Sequence, residues 1–289
     1  MTFARLLLLT ALIGSGIVGW AYWQAVSDPI VRAAEVELLP PDGLQKPLRI
    51  LLLSDIHVAG PDMSPQRLGR IVRQANAHKP DAVLIAGDFV SDKQLATSRY
   101  SLDEAIAPLH DLQSRFGTFA VLGNHDHWRD AAAAKSALRR AGIAVLDNSA
   151  VRAGPLVIGG LDDAFTHHDD LSATLRAMAK LGGAPILLSH SPDPFPRVPA
   201  DVALMVAGHT HCGQIRLPFV GALSSMSEFG DKYACGVIVE DGKTLVVGAG
   251  LGTSILPLRL GAVPDMWIVT LKKRTRPGGD GQSMSGLGR

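Results

Sequence analysis

Five short apolar runs, each followed at once by a carboxylate, an imidazole or a carboxamide, constrain this chain more than anything else in it. The runs are Leu48–Leu53, Ala82–Ala86, Thr118–Leu122, Pro185–Leu188 and Val202–Val206. Continuous apolar stretches this short suit strands buried on both faces. After them come, in order, Ser54-Asp55-Ile56-His57, Gly87-Asp88, Gly123-Asn124-His125-Asp126, Ser189-His190 and Gly208-His209-Thr210-His211. In open α/β sheets, ligands gather outside the carboxyl ends of the strands. If the segments stay extended, Asp55 and His57 project to one side, as do His209 and His211, because side chains alternate with period two. Gly87, Gly123 and Gly208 would let the backbone turn beneath a crowded centre.

The intervening segments read as helices and turns. Ser64 and Pro65 open a helix whose apolar face is Leu68, Ile71, Val72 and Ala75. Ser101 with Glu104 resembles a capping box, and a third helix is expected over Asp130–Ala141. Beyond about residue 215 strands and turns take over, with Glu240-Asp241-Gly242-Lys243 as a hairpin. The expected class is a layered α/β domain.

Nitrogen and oxygen donors without thiolate suit Mn, Fe or Zn. So many are too numerous for one tetrahedral ion but suit two ions sharing a ligand, about 3.5–4 Å apart, a geometry used in phosphoryl displacement. A single His after a strand is ordinarily a satisfied polar residue. Five such strand ends in register are not explained that way. Charge excludes another class: 28 Lys and Arg against 27 Asp and Glu leave no field to attract a polyanion, so no nucleic acid is expected as a partner.

Leu6–Val26 holds no charged residue, which at about 1.5 Å per residue is enough to cross a hydrocarbon core of about 30 Å. Trp20, Tyr22 and Trp23 stand at its far end, where amphipathic rings favour headgroups. A signal peptide cleaved at Ala25-Val26-Ser27 is the competing reading. An anchor is preferred because the apolar run is longer than a signal core. Arg5 ahead of it favours a cytoplasmic amino terminus and a domain on the outer side. The expected organisation is an anchor over 1–27, a linker with one strand over 28–47, a domain over 48–271 and a disordered basic tail over 272–289.

Asp55-x-His57, Gly87-Asp88, Gly123-Asn124-His125-Asp126, His190 and Gly208-His209-Thr210-His211 resemble, in order, the motifs of the calcineurin-like metallophosphoesterases. The resemblance implies an αββα sandwich of two sheets and a dinuclear centre of divalent or mixed-valence Mn, Fe or Zn. It implies Asp55, His57, Asp88 and His211 around one ion, and Asp88, Asn124, His190 and His209 around the other, with a bridging hydroxide as nucleophile. His125 would meet the substrate and assist the leaving group, and Asp126 would orient or charge that ring. The anchor and the segments Gly250–Ser254 and Pro257–Arg259 look like a membrane-tethered bacterial branch that includes UDP-2,3-diacylglucosamine pyrophosphatases and phosphodiesterases. That branch implies a single-pass inner-membrane protein with a lipid-linked or nucleotide-sugar substrate. The alternatives are a soluble phosphomonoesterase or cyclic phosphodiesterase anchored only for location, and a metal-holding scaffold without turnover.

Cys212 departs from the branch, which usually has glycine there. Cys212 and Cys235 are expected to be two unlinked small apolar residues, with a bond or a place near the metals as alternatives. Asp162, in Gly160-Leu161-Asp162-Asp163, is a candidate to support the site or a plain turn carboxylate. His167, His168, Asp169 and Asp170 are expected to form a solvated loop.

Overall fold

The computed structural model describes residues 2–38, 46–91, 93 and 95–273. Two six-stranded sheets face each other. In chain order the strands are β1 Ile30–Leu38, β2 Leu48–Leu53, β3 Ala82–Ala86, β4 Thr118–Val121, β5 Ala144–Val145, β6 Ser149–Ala153 and β7 Leu156–Gly160. They continue with β8 Ala184–Leu188, β9 Leu204–Ala207, β10 Arg216–Leu217, β11 Gly221–Ala222, β12 Gly236–Glu240, β13 Lys243–Val247 and β14 Asp265–Lys273. The helices are α1 Phe3–Val26, α2 Pro65–Ala77, α3 Leu102–Ile106, α4 Asn124–Arg140 and α5 Leu171–Leu181. One sheet runs β1-β14-β2-β3-β4-β5 and the other β12-β13-β9-β8-β7-β6, while β10 and β11 form a small separate hairpin.

Period-two alternation of fully apolar strands produces the layers. Ile50, Leu52, Leu84 and Val121 point between the sheets, where they meet Ile158, Ile186, Leu188 and Val206. Leu51, Leu53, Val83 and Ile85 face outward and are covered by Leu68, Ile71 and Val72 of α2 and Ala134 and Leu138 of α4. Val157, Leu187 and Met205, on the far sheet, pack with Met178 of α5. The result is the expected αββα sandwich.

Local signals hold where they are strongest. Ser64 caps α2 by accepting from the Arg67 amide, and Ser101 with Glu104 makes a reciprocal capping box. Asp241 and Gly242 both have positive φ and close the β12–β13 hairpin. Two expectations change. The strand read as part of a linker, β1, pairs in parallel with β14 along its whole length, so it is the edge of a sheet. Lys272 and Lys273, assigned to the tail, complete β14 opposite Glu37 and Leu38. The helix expected from Asp130 is present, capped by the Asp130 side chain, which accepts from the Ala133 amide at 2.9 Å; the Asn124-His125-Asp126 run forms a separate turn ahead of it, joined across non-helical backbone at Asp130. Of the linker, residues 39–45 lie outside the described residues, as does the tail from 274 on.

α1 stands off the domain except at its last turns, where Ala21, Gln24 and Ala25 are buried. There the Arg259 amide donates to the Ala21 carbonyl at 2.9 Å and the Gly261 amide to Gln24 Oε1 at 3.1 Å.

Candidate metal centre

All five motif segments converge at the carboxyl ends of β2, β3, β4, β8 and β9. The local geometry differs from the extended segments expected. Asp55, His57, Asp88, His209 and His211 all have φ between 48° and 71°. Left-handed backbone is costly for residues carrying Cβ and persists where surrounding structure imposes it. Each chain therefore turns as it leaves its strand and aims the side chain across the end of the sheet. Gly123 and Gly208 serve close approach rather than turning. A Cβ on Gly123 would lie within 3 Å of the Asp88 carboxylate and the His190 ring, and one on Gly208 within 3 Å of Asp55 and Ser54.

The donors form two overlapping groups. His57 Nε2 lies 3.0 Å from His211 Nε2, and His211 Nε2 is 3.7 Å from Asp55 Oδ1. His190 Nε2 lies 3.1 Å from both Asn124 Oδ1 and His209 Nδ1. Between them sits Asp88, whose Oδ2 is 3.4 Å from His57 Nε2 and 3.4 Å from His190 Nε2. Asp55, His57, Asp88, Asn124, His190, His209 and His211 are all buried.

The chemistry of the set fits cations. His57 Nδ1 donates to the Val90 carbonyl at 3.2 Å and His190 Nδ1 to the Ala86 carbonyl at 2.6 Å. Each Nε2 then faces inward, the atom a metal would take, although the Asp88 carboxylate outweighs burial and holds the His190 imidazole well above its usual range. His209 is turned the other way: Nε2 donates to the Met226 carbonyl, leaving Nδ1 for the centre. Burial holds His57 and His211 well below the usual imidazole range, so both are neutral, and it brings His209 down to about 3. His57 Nε2 and His211 Nε2, 3.0 Å apart, share a hydrogen bond, and a cation would take the place of that proton. Burial also pushes the Asp55 carboxyl up to about 6, a charge that a bound cation would compensate. For Asp88, burial pulls upward, but His190 beside it keeps the carboxylate well below its usual range.

His125 is half-buried beside this set. Its amide donates to Asp88 Oδ1 at 2.9 Å, its ring meets His57 edge-on, and its Nε2 is 3.3 Å from Ser254 Oγ. Asp126, expected to serve that ring, does something else. Its oxygens accept from the amides of Asp88, Phe89 and Gly123 at 2.8–3.0 Å, tying β3's end to the start of α4. Burial and the nearby Asp88 raise it to about 7. Asp162 pairs with His127 at 2.8 Å, and this hydrogen bond raises the His127 pKa. His127 also stacks on His168. It went unnoticed in the sequence, although its place one residue past Asn124-His125-Asp126 was a signal. His167, His168 and Asp170 are exposed, as expected of a solvated loop.

Arg259 is the other residue that sequence reasoning left without a role. Fully buried, it donates to the carbonyls of Ala249, Gly250, Gly252 and Ala262 and reaches His211 Nδ1 at 3.3 Å. A guanidinium can hold that many carbonyls at once because it carries five donors. Beside it runs a second correction: Cys212 and Cys235 are bonded, with Cα atoms 4.9 Å apart. Cys212 directly follows His211, and the bond closes a 23-residue separation that contains β10 and β11.

A family model for calcineurin-like phosphoesterase matches residues 48–213, which span every motif of the centre. The chain belongs to the calcineurin-like phosphoesterases. Among similar proteins is an uncharacterized metallophosphoesterase of Aquifex aeolicus, 34% identical over 78% of this chain and 85% of its own length. Another is the uncharacterized metallophosphoesterase YkuE of Bacillus subtilis, 29% identical over 88% of this chain and 90% of its own. A transmembrane protein with metallophosphoesterase domain from Danio rerio is 30% identical over 94% of this chain, which spans 63% of that protein. As a member of this family the chain is a metal-dependent phosphoester hydrolase, and α1 is long and apolar enough to cross a membrane.

Proposed function

We propose that this phosphoesterase hydrolyses a lipid-linked phosphodiester or pyrophosphate at the surface of the membrane that holds α1. The observation that carries the substrate class is a cavity of about 340 Å³ at the centre's mouth. Asp88, Asn124, His125, His209 and His211 line it together with Trp128, Ile215, Leu223, Met226, Ile255 and Leu256. A phosphate held by the polar residues would leave its substituent among the apolar ones.

Asp55, His57, Asp88 and His211 would hold one divalent cation, and Asp88, Asn124, His190 and His209 the other. When bound, such a pair supplies positive charge that acidifies a shared water and neutralises the phosphoryl oxygens. The chain's own part is positional. Asp126 and Arg259 brace the loops that carry Asp88 and His211. His125, with Nε2 toward the cavity, donates a proton to the departing oxygen.

The reading is tested with the full chain in detergent, loaded with manganese, on a series of phosphodiesters differing in tail length. At about 0.8 kcal/mol per buried methylene, four added methylenes should raise kcat/KM on the order of 100-fold. A flat series would transfer the chain to soluble phosphomonoesters or cyclic phosphodiesters, and absence of turnover on any ester to a scaffold.

The Cys212–Cys235 bond supports placing the domain on the oxidising, extracytoplasmic side, since such bonds persist there. The orientation agrees with Arg5 ahead of α1 and favours lipid-linked substrates over nucleotide sugars such as UDP-2,3-diacylglucosamine, which are cytoplasmic. Protein purified without reductant should show no reactive thiol under denaturing conditions and two after reduction. Two thiols before reduction would withdraw this placement.

A further inference from the structure

A patch of exposed apolar side chains lies apart from α1. The turn between β10 and β11 holds Pro218, Phe219 and Val220, with Phe219 and Val220 at 108% and 68% of full exposure. Leu223 and Ile255 follow at 62% and 66%, and Leu256 at 40%. Soluble surfaces scatter such residues singly, whereas a contiguous group marks an interaction site.

Backbone continuity says what covers it. The Gln214 carbonyl accepts from the Leu260 amide at 3.0 Å, and the Leu260 carbonyl accepts from the Arg216 amide at 2.7 Å. The Gln214 side chain binds both Ser254 N and Leu256 O, so the root of the hairpin and the 254–256 segment are one unit. The next residues, Arg259 and Gly261, bond to Ala21 and Gln24 in the last turns of α1. Those turns are where Trp20, Tyr22 and Trp23 stand, at headgroup level if residues 6–26 cross the bilayer. Hairpin, 254–256 segment and anchor therefore leave the domain from a common root, at the depth of the interface. We propose that Phe219, Val220, Leu223 and Ile255 enter the headgroup–acyl boundary of the leaflet that α1 leaves. The bilayer thus holds the domain at two points, and the metal centre's mouth opens on lipid. Two contacts fix an orientation that a single helix leaves free to swivel.

The test uses the full chain in vesicles of phosphatidylcholine and phosphatidylglycerol, with Phe219 replaced by p-benzoylphenylalanine. A second probe replaces Val220, and a control replaces Leu181. That residue ends α5 just before the amino-terminal end of β8, opposite the metal centre. Unchanged circular dichroism and melting temperature establish that each variant folds. After irradiation, mass spectrometry should find phospholipid adducts at 219 and 220 and none at 181. Absence of lipid adducts at both probes, adducts to a second copy of the chain instead, or equal lipid labelling at 181 would each overturn the proposal. The readout needs no turnover, so it stands or falls separately from the substrate assignment.

Discussion

Asp88→Asn should lose bound metal and activity together. The purified variant should hold fewer than one ion per chain where two are expected of the wild type, with hydrolysis reduced about 10³-fold or more. The reason is the place of Oδ2, 3.4 Å from a nitrogen of each donor group. An amide keeps the volume but brings no charge to offset two cations, and its NH2 group cannot ligate. The backbone should tolerate the change, because Asn adopts the left-handed conformation that Asp88 has, at φ 57°, at least as readily as Asp. Elemental analysis beside a melting curve separates lost metal from lost fold. A variant that keeps two ions and normal turnover would remove Asp88 from the shared position.

His125→Ala should do the opposite to the two readouts. Metal content should stay at the wild-type value while kcat falls on the order of 10²–10⁴-fold, the range for loss of a general acid. Alanine retains the amide that donates to Asp88 Oδ1 at 2.9 Å, so the donor groups keep their support. Only the ring facing Ser254 and the cavity is lost. Substrates with good leaving groups should suffer less, since p-nitrophenolate departs without a proton. An equal loss for good and poor leaving groups, or loss of metal, would make His125 a structural residue.

These expectations rest on donor types that were legible before any fold was known. The strand runs, the residues after them, the caps at Ser64 and Ser101 and the Asp241-Gly242 hairpin depend on spacing within a few residues. So does the layered α/β class, since strands apolar on both faces must be covered on both, whereas the αββα sandwich was implied by the resemblance to the calcineurin-like metallophosphoesterases. The mechanism inferred for convergence was not legible. Asp55 and His57 do not project together through strand alternation but through left-handed turns, which no apolar pattern announces. Asp126 illustrates the same limit. Next to a catalytic-type histidine it reads as that ring's partner, yet it satisfies amides at 88 and 89, which chain topology alone brings beside it.

What the sequence by itself determined is therefore the inventory: which segments are strands, which residues can ligate, and that one helix can span a bilayer. Tertiary structure decided the pairings. It joined β1 to β14, as in the Arg32–Asp265 contact across 233 residues of chain, bonded Cys212 to Cys235, gave His127 its Asp162 and gave Arg259 its carbonyls. It also seated the last turns of α1 on the segment that carries Arg259. The physical reason is range. Side-chain periodicity and capping are energies between near neighbours and so are written along the chain, whereas these partners meet only after two sheets have closed over a common core.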